Sequence, residues 1–98
     1  MIVRLTRAAE ADVREIFEWY ENQREGLTAE FKSALDACLA MIALNPLAQH
    51  QAYRSFRPAL LRRFPYCSFY AVHEEDIVVY SVFHGHRDPN RWQRRHDA

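Results

Sequence analysis

The hydrophobic period of this chain changes once, at Asn45-Pro46, and that change divides what it can fold into. Before it, apolar residues recur at helical spacing. Val13, Ile16, Phe17 and Tyr20 fall at i, i+3, i+4 and i+7, and Phe31, Leu35, Cys38, Leu39 and Ile42 continue the pattern. The spacing predicts one helix from Ala8 to about Gln23 and a second from Thr28 to about Leu44. Thr6 offers an oxygen near the first start, Gly26 a left-handed stop, and Thr28 a cap for the second. Glu10, Asp12 and Glu15 suit the positive end of the first helix dipole. Pro46 cannot continue a helix. The link between the helices is only a few residues long, which makes them antiparallel neighbours.

After Pro46 the pattern becomes that of strands. Residues 47–56 carry no clear period and read as a loop. Arg57 to Phe64 alternates weakly, and Pro65 breaks the run. Tyr66–His73 and Ile77–Phe83 are rich in aromatic and β-branched residues, with Glu74-Glu75-Asp76 as a hairpin loop between them. Ile2, Val3 and Leu5 form a further short β-prone segment at the start. The order β-α-α-β-β-β predicts an α+β fold: an N-terminal strand and an antiparallel helical hairpin packed on a small, largely antiparallel sheet. With 98 residues there is room for one core, so residues 1–98 read as a single domain with a loose tail after about residue 90.

Charge is balanced overall but not along the chain. Residues 1–49 hold 5 Lys/Arg and 8 Asp/Glu, and residues 50–98 hold 8 and 5, so an acidic half precedes a basic one. The basic half contains all five histidines, and its cations are all arginine. A basic working surface is one reading, and a pair of solvated faces is the other. Cys38 and Cys67 sit in apolar runs without metal-type spacing and read as buried free thiols. No apolar run approaches the roughly 20 residues that span a bilayer. The opening residues lack a secretory pattern, so a soluble cytoplasmic protein is expected.

Four stretches resemble the RelE/ParE toxin superfamily. They are Ala9-Glu-Ala-Asp-Val-Arg-Glu-Ile16 leading to Trp19-Tyr20; Gly26-Leu27 with the Phe31…Leu35…Leu39 helix ending at Asn45-Pro46; Arg57 through Arg62-Arg63-Phe64-Pro65-Tyr66, with Tyr70 following; and Val82-Phe83-His84-Gly85-His86-Arg87-Asp88-Pro89 with Trp92. The resemblance spans about residues 2–92. It implies the toxin component of a type II toxin–antitoxin system. Its RelE branch is made of ribosome-dependent endoribonucleases, and its ParE branch inhibits DNA gyrase by binding. A shared fold cannot choose between them.

The side chains favour the ParE branch. A metal-free ribonuclease needs a general base and acid beside clustered cations. Arginine is a poor base, which leaves His84 or His86 as the proton shuttle, with Arg62, His84 and Arg87 as the catalytic set under that alternative. No lysine lies in the basic half and no tyrosine follows the last predicted strand, a poor match to a RelE-type site. The long helical hairpin also resembles ParE. On this reading there is no catalytic site, and Arg54, Arg57, Arg63, His84, Arg87 and Trp92 are candidates for target contact. The family resemblance implies a ParD-like or RelB-like antitoxin, with Trp19, Phe69, Tyr70 and Tyr80 as candidate contacts, because a sheet covered on one face should leave an apolar surface on the other. The partner implied besides the antitoxin is gyrase, or the ribosome and its mRNA in the alternative. No membrane, small-molecule substrate, cofactor or metal is expected; His84 and His86 alone are two ligands without a third. A family member that only binds its antitoxin is the remaining reading.

Overall fold

The computed structural model describes residues 2–85 and 93–95. Six elements follow in chain order: β1 (Ile2–Leu5), α1 (Arg7–Glu21), α2 (Leu27–Leu44), β2 (Arg57–Leu60), β3 (Tyr66–Val72) and β4 (Asp76–His84). Thr6 starts α1 as expected, its hydroxyl accepting from the Ala9 N–H at 3.1 Å. The inter-helix link differs from the expectation. Asn22, not Gly26, closes α1, and Gly26 at φ 89° is the residue from which α2 departs. Thr28 does not cap α2. Its hydroxyl donates to the Phe17 carbonyl at 3.3 Å and so ties the two helices together.

The sheet runs in the order β1-β4-β3-β2. β2–β3 and β3–β4 are antiparallel, whereas β1 lies parallel to β4, with Val3 beside Ile77 and Leu5 beside Val79. The helical hairpin is the crossover that this parallel pairing requires. The register of β4 on β3 steps by one residue around Tyr80, since Phe69 faces Ser81 and Tyr70 faces Val79. β2 is shorter than the sequence pattern. It ends at Leu60, and residues 62–65 form a turn closed by the Leu61 N–H on the Tyr66 carbonyl at 3.0 Å.

Both helices lie on one face of the sheet. Ala9, Val13 and Ile16 of α1 and Phe31, Leu35, Cys38 and Ile42 of α2 join Tyr70, Ile77, Val79 and Val82 in one core. Phe31 is its hub, fully buried, with the rings of Phe17, Tyr20, Phe64 and Tyr66 centred 5.4–5.8 Å away. Ring pairs at this spacing add to the area they bury. The far face of the sheet is not left bare. Phe56, just before β2, reaches past β3 to meet the Tyr80 ring edge-on at 5.3 Å, and Phe69, Ala71 and Val78 are nearly fully buried. The open apolar face expected there is therefore absent among the described residues.

Cys38 and Cys67 are free and buried, as the sequence suggested. Burial raises both thiols, Cys67 up to about 12 from an ordinary 9.0. A thiol whose folded pKa is raised adds stability that is intact below the unfolded value and lost as pH climbs through the folded one. The unfolding midpoint should thus fall between about pH 9 and about 12, and Cys67→Ala should flatten that fall. Near pH 8 neither thiol should react with a thiol reagent until the chain is denatured. Phe31→Ala should cost about 3–5 kcal/mol in urea unfolding at constant m-value.

Candidate functional site

Two features stand out once the core is placed. The first lies along α2. Phe31, Leu35, Cys38 and Ile42 turn inward, but α2 is apolar on more than one side, and Met41 (64% exposed) and Leu44 remain outside. Leu60 (66% exposed), at the end of the edge strand β2, lies near Met41. Between α2 and β2 lies an open trough of about 730 Å³, lined by Ser33, Ala34, Ala37, Cys38, Met41, Leu60 and Phe64 and by the charged Glu30, Arg62 and Arg63. A smaller hollow continues it past Ile42, Asn45 and Ala59 to Tyr70. A contiguous apolar strip beside an open sheet edge can take a partner segment.

The second feature is the buried carboxylate of Asp12. It accepts the Val82 N–H at 3.0 Å and a two-pronged contact from Arg95 at 2.6 and 2.9 Å. β1 stops at Leu5, so the upper part of β4 has no strand on that side, and Asp12 fills the gap. Arg95 also approaches the Tyr80 carbonyl at 3.4 Å and lies 4.4 Å from the Phe83 ring centroid. The guanidinium thus reaches round the strand edge and fastens residues 93–95, which are helical, to α1 and β4. The tail was expected to be loose; at Arg95 it is tied down. Asp12 was read as a dipole partner, yet it is 6% exposed. The signal lay in the sequence: Asp12 falls three residues after Ala9 and four before Ile16, inside the buried stripe.

Residues 3–89 match the family model described as "ParE toxin of type II toxin-antitoxin system, parDE". The chain belongs to the ParE toxin family. The ParE fold is seen again in a chain of the chromosomal ParDE TA system from P. aeruginosa, which is 17% identical, with a TM-score of 0.65 over 86% of this chain and 95% of that one. Among curated proteins no relative matches.

Within this ParE-type fold the candidate residues divide. Arg54, Arg62 and Arg63 are exposed on the turns that flank β2. Arg54 and Arg63 adopt φ of 52° and 68°, a left-handed conformation costing about 1 kcal/mol for a side chain other than glycine. Arg57 turns inward instead. Its guanidinium donates to the Gln49 carbonyl and is half-buried, which makes it a latch on the 45–56 loop rather than a surface cation. Tyr70 is fully buried; its hydroxyl donates to the Pro46 carbonyl at 2.7 Å, and burial raises its pKa. It and Phe69 (5% exposed) were expected to meet an antitoxin, but packing withdraws both from the surface. Tyr80 is half-buried, with its hydroxyl 3.0 Å from His73 Nε2, and Trp19 is 54% exposed on α1. His84 is half-buried at the end of β4, its ring 5.6 Å from that of Tyr66. His86, Arg87 and Trp92 lie outside the described residues. No cluster of three His, Cys, Asp or Glu side chains forms among those described, and no described helix is long and apolar enough to cross a membrane.

Asp12→Ala removes one member of a buried, doubly hydrogen-bonded pair and should cost about 3 kcal/mol or more in urea unfolding. Arg4→Ala breaks the exposed Arg4–Asp76 pair, at 3.2 Å, and should change stability by less than about 1 kcal/mol.

Proposed function

We propose that this ParE-type chain inhibits DNA gyrase by binding to it, and that a cognate antitoxin holds it in check in the cytoplasm. The observation that carries the reading is the presentation of the arginines. Arg54, Arg62 and Arg63 are exposed on the turns at the two ends of β2, with Arg62 and Arg63 beside the α2–β2 trough. Exposed arginine forks suit docking against carboxylates or phosphates. The ribonuclease alternative asks for a proton shuttle poised near neutral pH among converging cations. Burial moves Cys38, Cys67 and Tyr70 upward, away from neutrality, so none of these serves as a base at pH 7. His84 packs edge-on against Tyr66, which gives it a role in fixing the end of β4.

Target contact on this reading falls to Arg54 and Arg63, with His84, Arg87 and Trp92 at the chain's late segment. Trp19 and Tyr80 remain candidates for antitoxin contact. On this reading residues 1–98 act as a single toxin domain, supported by the one core that draws on both helices and the sheet and by the Asp12–Arg95 pair.

Purified gyrase with DNA and this chain should accumulate linear, cleaved DNA, and the antitoxin should reverse the effect. Mapping of RNA ends after expression should show no codon-linked cuts. An Arg54→Glu variant should weaken the effect on growth roughly ten-fold or more, and a His84→Ala variant, which removes one contact without reversing a charge, should weaken it less. Ribosome-dependent mRNA cleavage lost in His84→Ala would replace this reading with the nuclease.

A further inference from the structure

We infer that the β2 edge of the sheet holds the phosphate backbone of duplex DNA, with Arg54 at one end of the strand and Arg62 and Arg63 at the other as the contact groups. The inference rests on the reading of gyrase as the target and adds that the chain touches the DNA on which gyrase acts.

The chain has no net charge, so affinity for a polyanion has to come from how charge is distributed. From Ala37 to His73 the sequence holds no aspartate or glutamate, yet it holds Arg54, Arg57, Arg62 and Arg63. This stretch supplies β2, β3 and the turns that flank β2. The described carboxylates are carried instead by α1, α2, the link between them and residues 74–76. β2 is an outer strand of the sheet, and Arg54, Arg62 and Arg63 are exposed on its two flanking turns. Glu30, which lines the same trough as Arg62 and Arg63, already has Arg24 3.2 Å away. The lack of carboxylates favours phosphates over an acidic protein surface. Protein pairs gain selectivity by setting both signs against each other, whereas a surface for a nucleic-acid backbone loses affinity with every carboxylate it carries.

The backbone gives a second, independent argument. Among the described residues, the positions other than glycine with a left-handed backbone are Arg54 at φ 52° and Arg63 at φ 68°. They stand at opposite ends of one short strand. Glycine takes this conformation without strain, as Gly26 does at φ 89°. An arginine in glycine's conformation at both ends points to a use for the guanidinium outside the fold. Both turns are held in place. The Phe56 N–H donates to the Tyr53 carbonyl at 2.9 Å, and the Leu61 N–H to the Tyr66 carbonyl at 3.0 Å. The Phe56 ring, edge-on to Tyr80 at 5.3 Å, anchors the first turn, and the Arg54 guanidinium lies 5.5 Å from the Tyr53 ring centroid. The turns that carry the cations are thus ordered before a ligand arrives. Their separation suits a row of phosphates. The four residues of β2 rise roughly 13 Å, and one DNA strand carries a charge about every 3.4 Å of axis, so the turns stand about four phosphates apart.

The test is the fluorescence anisotropy of labelled duplex DNA titrated with the full chain, beside a gyrase cleavage assay. Log affinity should fall with log salt at a slope of roughly −3, close to one counter-ion for each of the three arginines. Arg54→Gly and Arg63→Gly, which suit the left-handed backbone, should each hold the melting temperature and yet take about one from that slope, a pair of changes that a structural role would not produce. The Arg54→Gln/Arg62→Gln/Arg63→Gln variant should weaken binding ~10-fold or more at low salt. Arg4→Gln, which removes an exposed arginine paired with Asp76 on β4, should leave binding unchanged. Binding that ignores salt, or that survives in the triple variant, would overturn the inference. Polyglutamate of matched charge displacing the DNA as well as unlabelled DNA does would assign the arginines to an acidic protein surface, and tighter binding of an RNA hairpin would assign them to RNA; either result overturns it too. The gyrase assay separates this inference from the reading beneath it. Equal inhibition by the wild-type chain and the triple variant would sink the DNA contact and leave gyrase as the target. Salt-dependent DNA binding by a chain that leaves gyrase untouched would sink the gyrase reading and leave the DNA contact standing.

Discussion

Phe31 is the joint on which the rest of this structure turns. It lies at the meeting point of both helices and the entry to β3, and four aromatic rings close round it. Helical geometry then dictates which other residues of α2 face inward. Leu35, Cys38 and Ile42 follow Phe31 at spacings of four, three and four. Because that face is committed, the remaining apolar residues of α2 have nowhere to go but outward. Met41 and Leu44 are exposed as a consequence of Phe31 being buried. The exposed apolar strip is thus a by-product of how the hairpin is seated, and the core and the trough are two sides of one helix.

A second constraint acts on the other side of the sheet. A parallel strand that ends after four residues leaves part of β4 with unpaired backbone, and a buried N–H without an acceptor is costly. Asp12 supplies the acceptor, and Arg95 supplies the charge that makes a buried carboxylate tolerable. Asp12, near the start of α1, and Arg95 are fastened together through this one carboxylate. The clamp lies on the α1 and β4 side and the trough on the α2 and β2 side.

How much of this could be read from residues alone follows from range. The helices were legible because their buried stripes repeat locally, and β3 and β4 were legible because aromatic and β-branched residues cluster between turn signals. The end of β2 was not, since Arg62, Arg63 and Phe64 fit an alternating pattern until Pro65 and the Leu61–Tyr66 hydrogen bond turn the chain. Tyr70 was misplaced for a related reason. A one-residue step in the ladder at Tyr80 breaks simple alternation, and a strand with apolar residues on both faces does not say which one meets the helices. The Asp12–Arg95 pair joins residues 83 positions apart, and no local pattern announces it. Arg57 looked like its neighbouring arginines in sequence and differs from them only because the 45–56 loop folds over it.

On the proposed reading this ParE-type toxin works by occupying its target rather than by turning over a substrate. Stoichiometry separates the two most directly. In a titration of purified gyrase, activity should decline in proportion to added toxin, level off at a fixed ratio of the two proteins, and return when the toxin is withdrawn by its antitoxin. Inactivation of many target molecules by each toxin chain, continuing with time and surviving the toxin's removal, would contradict the account.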